Sequence, residues 1–332
     1  MKCIVRKSIV RKAGIVLLLV FLAMPAGCGN KIEPEQKYDT FKTTEEYGIG
    51  ILRTSENLSF YAKNLCVGGN EDVLNDHVTE SISEAAGLFD MQGHTVVYAK
   101  NIHERLYPAS TTKILTAYVA LKYGDLTATA TVSADALQLE EGSSVCALSA
   151  GDQLTLEQLL YGLMLRSGND AANVIAETIS GSTEAFTKLM NQEALALGAT
   201  NSSFVNAHGL HSEQHYTTVY DLYLIFQAAL QNETFRQIIG TKSYEADYFN
   251  RHGAAVSKVW KSTNRYLTGE ENAPEGITII GGKTGTTFDA GNCLVLCSES
   301  SDGKPYISIV LKSDGKDNLY FQMSELLKII SN

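Results

Sequence analysis

Residues 106–116 read LYPASTTKILT and contain Ser110 and Lys113, the two residues that say most about the fold and chemistry of this chain. The apolar residues that follow predict a helix opening at Ser110, so these side chains, at i and i+3, share one face. A serine hydroxyl is a weak nucleophile until a base lies beside it, and a lysine amine can be that base when burial or a nearby cation lowers its pKa. The helix N-terminus adds N–H groups that stabilise a developing oxyanion. Alone, Ser-x-x-Lys is typical of an ordinary capped helix.

Two further motifs complete a set of three. Ser167-Gly-Asn169 supplies a hydroxyl that can relay protons, although by itself it reads as an ordinary helix-terminating turn. Lys283-Thr-Gly285, inside GGKTGTTF, supplies a cation on a predicted strand. A phosphate-binding loop is excluded there because the Gly-x-x-x-x-Gly-Lys spacing is absent. Glycine in a strand instead indicates that a ligand approaches the backbone closely.

Over residues 82–330 the chain resembles the serine-type D-alanyl-D-alanine carboxypeptidases, the low-molecular-mass penicillin-binding proteins. The stretches that carry the resemblance are LYPASTTKILT (106–116), LLYGL (159–163), SGNDAA (167–172), NAHGL (206–210) and KTGTTFDAG (283–291). The resemblance implies that Ser110 is the acylated nucleophile and Lys113 its general base. It implies that Ser167 passes protons to the leaving D-alanine, and that the enzyme uses no cofactor.

The same resemblance assigns the substrate contacts. Asn169 is expected to help bind the peptide, and Lys283 and Thr284 to receive its terminal carboxylate. The backbone N–H groups of Ser110 and Thr286 are expected to form the oxyanion hole. The implied partners are peptidoglycan stem peptides, with β-lactam antibiotics as acylating inhibitors.

The order of predicted elements gives the fold class. Strands come first, helices occupy the middle, strands return at 277–287, 291–298 and 305–312, and a helix over 318–330 follows. This order predicts an α+β domain, residues 82–332, whose antiparallel sheet takes strands from both ends. The resemblance makes it β-lactamase/transpeptidase-like, with helices flanking the sheet and an all-helical lobe.

The N-terminus indicates export. A basic stretch is followed by twelve mostly apolar residues, Ala13 to Met24, which are too few to span a bilayer and fit a secretory signal. Pro25-Ala-Gly-Cys28 then resembles a lipoprotein cleavage site, which predicts a signal peptide over 1–27 and lipidation of Cys28; ordinary signal cleavage and secretion remain the alternative. Polar residues 28–81 are expected to tether the domain to the membrane, with 56–80 left open between stalk and edge strand.

Composition and the remaining reactive side chains narrow the function. The net charge of -10 argues against a nucleic-acid partner. His208, His211 and His215 lack the His-Glu-x-x-His frame, so no metal site is expected. Cys66, Cys146, Cys293 and Cys297 are expected to be small buried hydrophobes, with a Cys66–Cys146 disulfide left open.

Three functions fit the motifs. The favoured one is a carboxypeptidase that removes the terminal D-alanine of stem peptides through an acyl-enzyme, with D,D-endopeptidase activity as a variant. A serine β-lactamase is the second; it is disfavoured because residues 197–212 contain no glutamate to activate a deacylating water. The third, a non-catalytic drug-binding lipoprotein, is disfavoured because all three motifs are intact.

Overall fold

The computed structural model describes residues 63–78 and 82–331. The strands in this part are β1 (Ser83–Asp90), β2 (Thr95–Lys100), β3 (Thr129–Thr131), β4 (Gln153–Thr155), β5 (Ser243–Phe249), β6 (Ala255–Lys261), β7 (Thr278–Thr287), β8 (Gly291–Glu299) and β9 (Pro305–Ser313). The larger sheet is antiparallel with the order β2-β1-β9-β8-β7. β1, the first strand of this sheet in the sequence, therefore pairs with β9, the last one, and Ala86 lies opposite Val310.

Helices lie on both faces of this sheet. They are α1 (Lys113–Tyr123), α2 (Leu156–Leu165), α3 (Asn169–Ser180), α4 (Thr183–Ala196), α5 (Val219–Ala229), α6 (Glu233–Gly240), α7 (Arg265–Thr268) and α8 (Lys316–Lys328). Alternate residues of β1 serve two cores: Ala85 and Phe89 pack with the helical lobe, and Ala86 and Leu88 pack under α8. These observations confirm the predicted α+β class, with strands from both ends of the domain in one antiparallel sheet.

The helix start at the first motif differs from the prediction. Ser110 lies in a short 3₁₀ turn, Ala109–Thr112, and the α-helix begins at Lys113. A regular α-helix cannot run through Ala109 because its φ of 48° lies in the left-handed region. The hydroxyl groups of Thr111 and Thr112 donate to the carbonyls of Pro108 and Ala109 and hold the turn closed.

A second, smaller sheet was not predicted. It has the order β3-β4-β5-β6. β3 and β4 have three residues each, which is too short for an alternating pattern to be read. The β5–β6 hairpin alternates exposed residues with partly or fully buried ones such as Ala246 and Trp260, and it leads into the short helix α7.

Residues 63–78, expected to belong to the tether, pack against the domain. Val73 and Ala99 exchange two backbone hydrogen bonds of 2.8 Å, which adds an isolated bridge beside β2. The Cys66 N–H donates to the Tyr223 hydroxyl, and the Tyr220 hydroxyl donates to the Cys66 carbonyl. Residues 63–78 therefore pack against the domain, but they contribute a one-residue bridge rather than the edge strand that was one of the two alternatives.

The predicted signal peptide, Cys28 and most of the tether lie outside the described residues. Within 63–78 and 82–331, no helix has the length and apolar character that crossing a membrane requires.

Candidate active site

The three motifs meet at one pocket of about 370 Å³ between the helical lobe and the free edge of β7. Ser110, Ser167, Thr284 and Thr286 line it. Lys113, Asn169 and Lys283 lie directly behind these residues, through the hydrogen bonds described below. The structure thus brings together every predicted catalytic and substrate-binding residue of the described chain. Cys28, the predicted lipidation site, lies outside that part.

The amine of Lys113 is fully buried beside the Ser110 hydroxyl. Its Nζ lies 2.9 Å from Ser110 Oγ, and it donates to Asn169 Oδ1 at 2.7 Å and to the His208 carbonyl at 2.6 Å. Burial, and next the nearby Lys283, hold the pKa of Lys113 well below its ordinary value. A neutral amine has two N–H groups, and two contacts that can only accept take both. Its lone pair is then left for the Ser110 hydroxyl proton.

Glycine allows the motifs to approach this closely. A Cβ on Gly285 would lie 2.9 Å from the Ser110 nitrogen and 3.0 Å from the Pro108 carbonyl oxygen. Gly209 has a φ of +90°, and its Cβ would lie 1.8 Å from the Ala109 carbonyl oxygen. Any larger residue at either place would push β7 or the 206–210 loop away from the nucleophile.

Ser167 forms the second hydroxyl of the site. It has a φ of 60°, an uncommon value for a residue other than glycine, which fixes the turn between α2 and α3. Lys283 Nζ donates to Ser167 Oγ at 3.0 Å and to the Thr284 carbonyl at 2.8 Å. Burial lowers the pKa of Lys283 to about 7. Lys283 therefore faces Ser167 beneath the strand rather than lining the pocket as an exposed cation.

Asp170, which sequence reasoning missed, fixes the start of α3. Its buried carboxylate accepts from the backbone nitrogens of Cys146, Leu148 and Ala171 at 2.8, 3.1 and 2.9 Å. The Asn169 nitrogen also donates to the Ser144 carbonyl at 2.8 Å. These bonds hold the 144–148 loop, with Ser144 lining the pocket, against the second motif. The sequence SGNDAA does indicate this role of Asp170, because a carboxylate in the first turn of a helix interacts favourably with the helix dipole.

The histidines support the nucleophile from behind. The His208 carbonyl accepts a hydrogen bond from Lys113. His215 Nε2 lies 2.8 Å from Thr112 Oγ1, in the 3₁₀ turn that contains Ser110. Burial lowers the pKa of His208 to about 3 and that of His215 to about 4, so both rings are neutral. Within the described residues, no three metal-ligating side chains cluster.

The wall opposite the nucleophile is built by α7 and the start of α8. Arg265, Glu270, Lys316 and Tyr320 line the pocket there. Arg265, Glu270 and Tyr320 were not singled out from the sequence, because each belongs to a stretch with no motif of its own. The four cysteines of the described chain are buried free thiols, so the disulfide left open between Cys66 and Cys146 is not formed.

Solved structures show which class of protein carries this arrangement. The Streptomyces K15 DD-transpeptidase superimposes with a TM-score of 0.69 at 32% identity, over 75% of this chain and 97% of that one. This match confirms the predicted fold of the β-lactamase/transpeptidase type and places the chain in that structural class.

Sequence comparison then gives the family. Residues 73–315 match the peptidase family described as D-alanyl-D-alanine carboxypeptidase, and this chain belongs to it. The D-alanyl-D-alanine carboxypeptidase DacF of Bacillus subtilis is 33% identical over 249 residues, which cover 74% of this chain and 61% of that protein. The D-alanyl-D-alanine carboxypeptidase of Streptomyces sp. strain K15 is 34% identical over 71% of this chain and 83% of its own length. The chain spans less than two thirds of the Bacillus relative.

The Lys283–Ser167 contact predicts a pH dependence. A protonated Lys283 can resupply the proton that Ser167 gives to a leaving amine, whereas a neutral one cannot. Because the pKa of Lys283 lies at about 7, we expect kcat/KM for peptide substrates to fall as pH rises through that value. Lys283→Arg, whose guanidinium stays charged, should move this decline to higher pH even if it lowers the maximum rate. Stopped-flow acylation between pH 5 and 9 measures it; an unchanged decline in the variant would assign it to another group.

Proposed function

We propose that this chain is a serine D-alanyl-D-alanine carboxypeptidase that removes the terminal D-alanine of peptidoglycan stem peptides, and that β-lactams acylate the same serine. The observation that carries the proposal is the buried Lys113 amine, which lies 2.9 Å from Ser110 Oγ and donates to Asn169 Oδ1 and to the His208 carbonyl. Family membership and the DD-transpeptidase fold support the substrate class.

The geometry supports a two-step reaction. In the first step Ser110 Oγ attacks the carbonyl carbon of the terminal peptide bond while its proton passes to Lys113 Nζ. The backbone N–H groups of Ser110 and Thr286 receive the oxyanion. The C–N bond then breaks, and the departing D-alanine amine takes a proton through Ser167, which Lys283 faces. In the second step water attacks the carbonyl carbon of the Ser110 ester, and the bond from that carbon to Ser110 Oγ breaks. The shortened peptide leaves as a carboxylate, Lys113 returns its proton to Ser110 Oγ, and the protons of the water replace those that the amine took.

The nucleophile is tested by Ser110→Ala. This variant should lose both penicillin acylation and D-alanine release, because no other hydroxyl lies beside the Lys113 amine among the described residues. Ser257→Ala, on the exposed surface of β6, is the matched control and should retain both. Mass spectrometry locates the penicilloyl adduct, and an adduct on any residue but Ser110 would refute the assignment. The lifetime of the adduct separates the alternatives, since a serine β-lactamase would release penicilloate within seconds.

The base is tested by Lys113→Arg. The variant keeps a cation but cannot deprotonate near neutral pH, so acylation should slow by about 10²–10⁴-fold. Because a larger side chain in a buried site can disturb folding, Lys113→Met is measured beside it, with thermal unfolding of both as a check. Acylation near the wild-type rate in a folded variant would show that the base is another group.

We further propose that the protein is an extracytoplasmic lipoprotein held to the membrane through Cys28. Pro25-Ala26-Gly27-Cys28 follows the apolar stretch directly, and peptidoglycan, the proposed substrate, lies outside the cytoplasmic membrane. Acylation of the cysteine would anchor the chain, and the polar residues after it would give the domain reach.

This anchor predicts the behaviour of Cys28→Ser. The variant should leave the membrane fraction or keep its signal, because the thiol that carries the lipid is gone. Cys3→Ser, which changes a thiol inside the predicted signal, should remain anchored. Fractionation with intact-mass measurement reads both. Unchanged processing and membrane association of Cys28→Ser would favour ordinary signal cleavage or another anchor.

A further inference from the structure

The proposed chemistry fixes the direction in which a peptide crosses the site. Its reacting carbonyl lies at the N–H groups of Ser110 and Thr286, and its leaving amine lies toward Ser167, whose hydroxyl is 3.0 Å from Lys283 Nζ. Lys283 precedes Thr286 along β7. The leaving D-alanine therefore lies beside the earlier part of β7, and the rest of the peptide continues past Thr286 toward the end of the strand.

The strand β7 offers free backbone to such a peptide. It is the outermost strand of the larger sheet, and in the described part of that sheet it pairs with β8 alone. An extended peptide can bond to the open edge of a strand, and both chains then advance by about 3.3 Å per residue. The substrate residue that precedes D-alanyl-D-alanine consequently comes level with Phe288, two residues beyond Thr286.

Phe288 has an uncovered ring at this point. Its exposed fraction is 100%, so no side chain of the described residues packs over it. Alternate residues of a strand share a face, and Phe288 continues the alternation of Thr284 and Thr286, which line the pocket. The Thr287 hydroxyl, by contrast, accepts a hydrogen bond of 3.1 Å from the Ala290 nitrogen within the turn. The row of side chains that lines the pocket thus leads to a free aromatic ring.

The turn that carries Phe288 is fixed by its neighbours. Ala290 is fully buried, and Asp289 Oδ2 lies 3.5 Å from His211 Nδ1. The His211 ring packs edge-on against Tyr107, with 4.6 Å between the ring centres. Tyr107 belongs to the stretch that leads into the nucleophile turn. These contacts hold the backbone of Phe288 at a set distance from the nucleophile.

A groove of about 560 Å³ lies beside the ring, and Phe288 lines it. Glu84, Lys100 and Lys312 also line this groove. Lys312 Nζ lies 3.5 Å from Glu84 Oε2, and both side chains are about half exposed, at 46% and 48%. A long side chain placed against the ring therefore has room, and its polar end can stay in water.

We propose that Phe288 binds the side chain of the substrate residue that precedes D-alanyl-D-alanine, and so favours stem peptides with a long aliphatic chain at that position. This inference rests on the proposed carboxypeptidase function and adds to it a specificity residue on the acyl side of the bond that is cut. The contact is apolar: methylene groups leave water against the ring, while a charged end remains solvated.

The experiment compares three acetylated tripeptides that differ in one residue. Glycine, norleucine or lysine precedes D-alanyl-D-alanine, and kcat/KM for D-alanine release is divided by the value for the glycine peptide. The two ratios isolate the side-chain contact, because folding and the chemical step affect all three peptides alike. They are measured for the wild type, Phe288→Ala and Phe288→Leu. Phe249→Ala is the control, since the Phe249 ring is 56% exposed on β5.

We expect the wild type to favour the norleucine and lysine peptides over the glycine peptide by about 10-fold, since a few methylene groups partly buried against a ring contribute about that factor. Phe288→Ala should bring both ratios close to one. Phe288→Leu, which keeps part of the apolar surface, should fall between this variant and the wild type. Phe249→Ala should leave the ratios unchanged, and thermal unfolding shows that each variant is folded.

The outcomes separate the two proposals. Ratios that stay at the wild-type value in folded Phe288→Ala would overturn the role of Phe288. A wild type that cleaves the norleucine peptide no faster than the glycine peptide would also overturn it, whatever the lysine peptide does, because the contact would then not be apolar. Both results leave the carboxypeptidase function standing. A wild type that releases D-alanine from none of the three would overturn the proposed function and this inference with it.

Discussion

The rest of the site depends on one buried amine. Lys113 Nζ has no exposure to solvent, so this polar group requires hydrogen-bond partners inside the protein. The partners come from three separate parts of the chain: Ser110 beside it, Asn169 at the start of α3, and the His208 carbonyl in the 206–210 loop. The cost of leaving such a group unpaired makes the relative placement of these parts a condition of stability as well as of chemistry.

A second constraint acts through backbone contact. Gly285 and Gly209 approach the 3₁₀ turn of Ser110 from two sides, and Ala109 and Ser167 hold left-handed conformations there. Strained residues of this kind persist only where the surroundings fix them, and they cluster at functional sites. Here the surrounding contacts include the Asp170 carboxylate with its three backbone donors. The contacts that hold the backbone in these strained conformations therefore also fix the position of Ser110.

Features that depend on residues close together in the sequence could be predicted, whereas those that depend on distant residues could not. Ser110 and Lys113 could be paired because they lie one turn apart, and the apolar strand β8 could be recognised from its composition. The 3₁₀ turn could not be predicted, because nothing in the sequence signals a positive φ at Ala109. Arg265 was missed because its place in the pocket depends on contacts with α8 and β7, which are distant in sequence. Lys283 was found, but its orientation toward Ser167 could not be read from a motif.

The pairing of β1 with β9 has a consequence for how activity arises. β7, which carries Lys283-Thr-Gly285, pairs with β8. β8 pairs with β9, and β9 in turn pairs with β1, where Ala86 lies opposite Val310. Contacts between such distant segments form late, because a long loop must close before they are gained. The nucleophile and its base are made early in synthesis, yet they have no third motif beside them until the C-terminal strands arrive. A nascent chain therefore cannot assemble this site until β7, β8 and β9 have been synthesised.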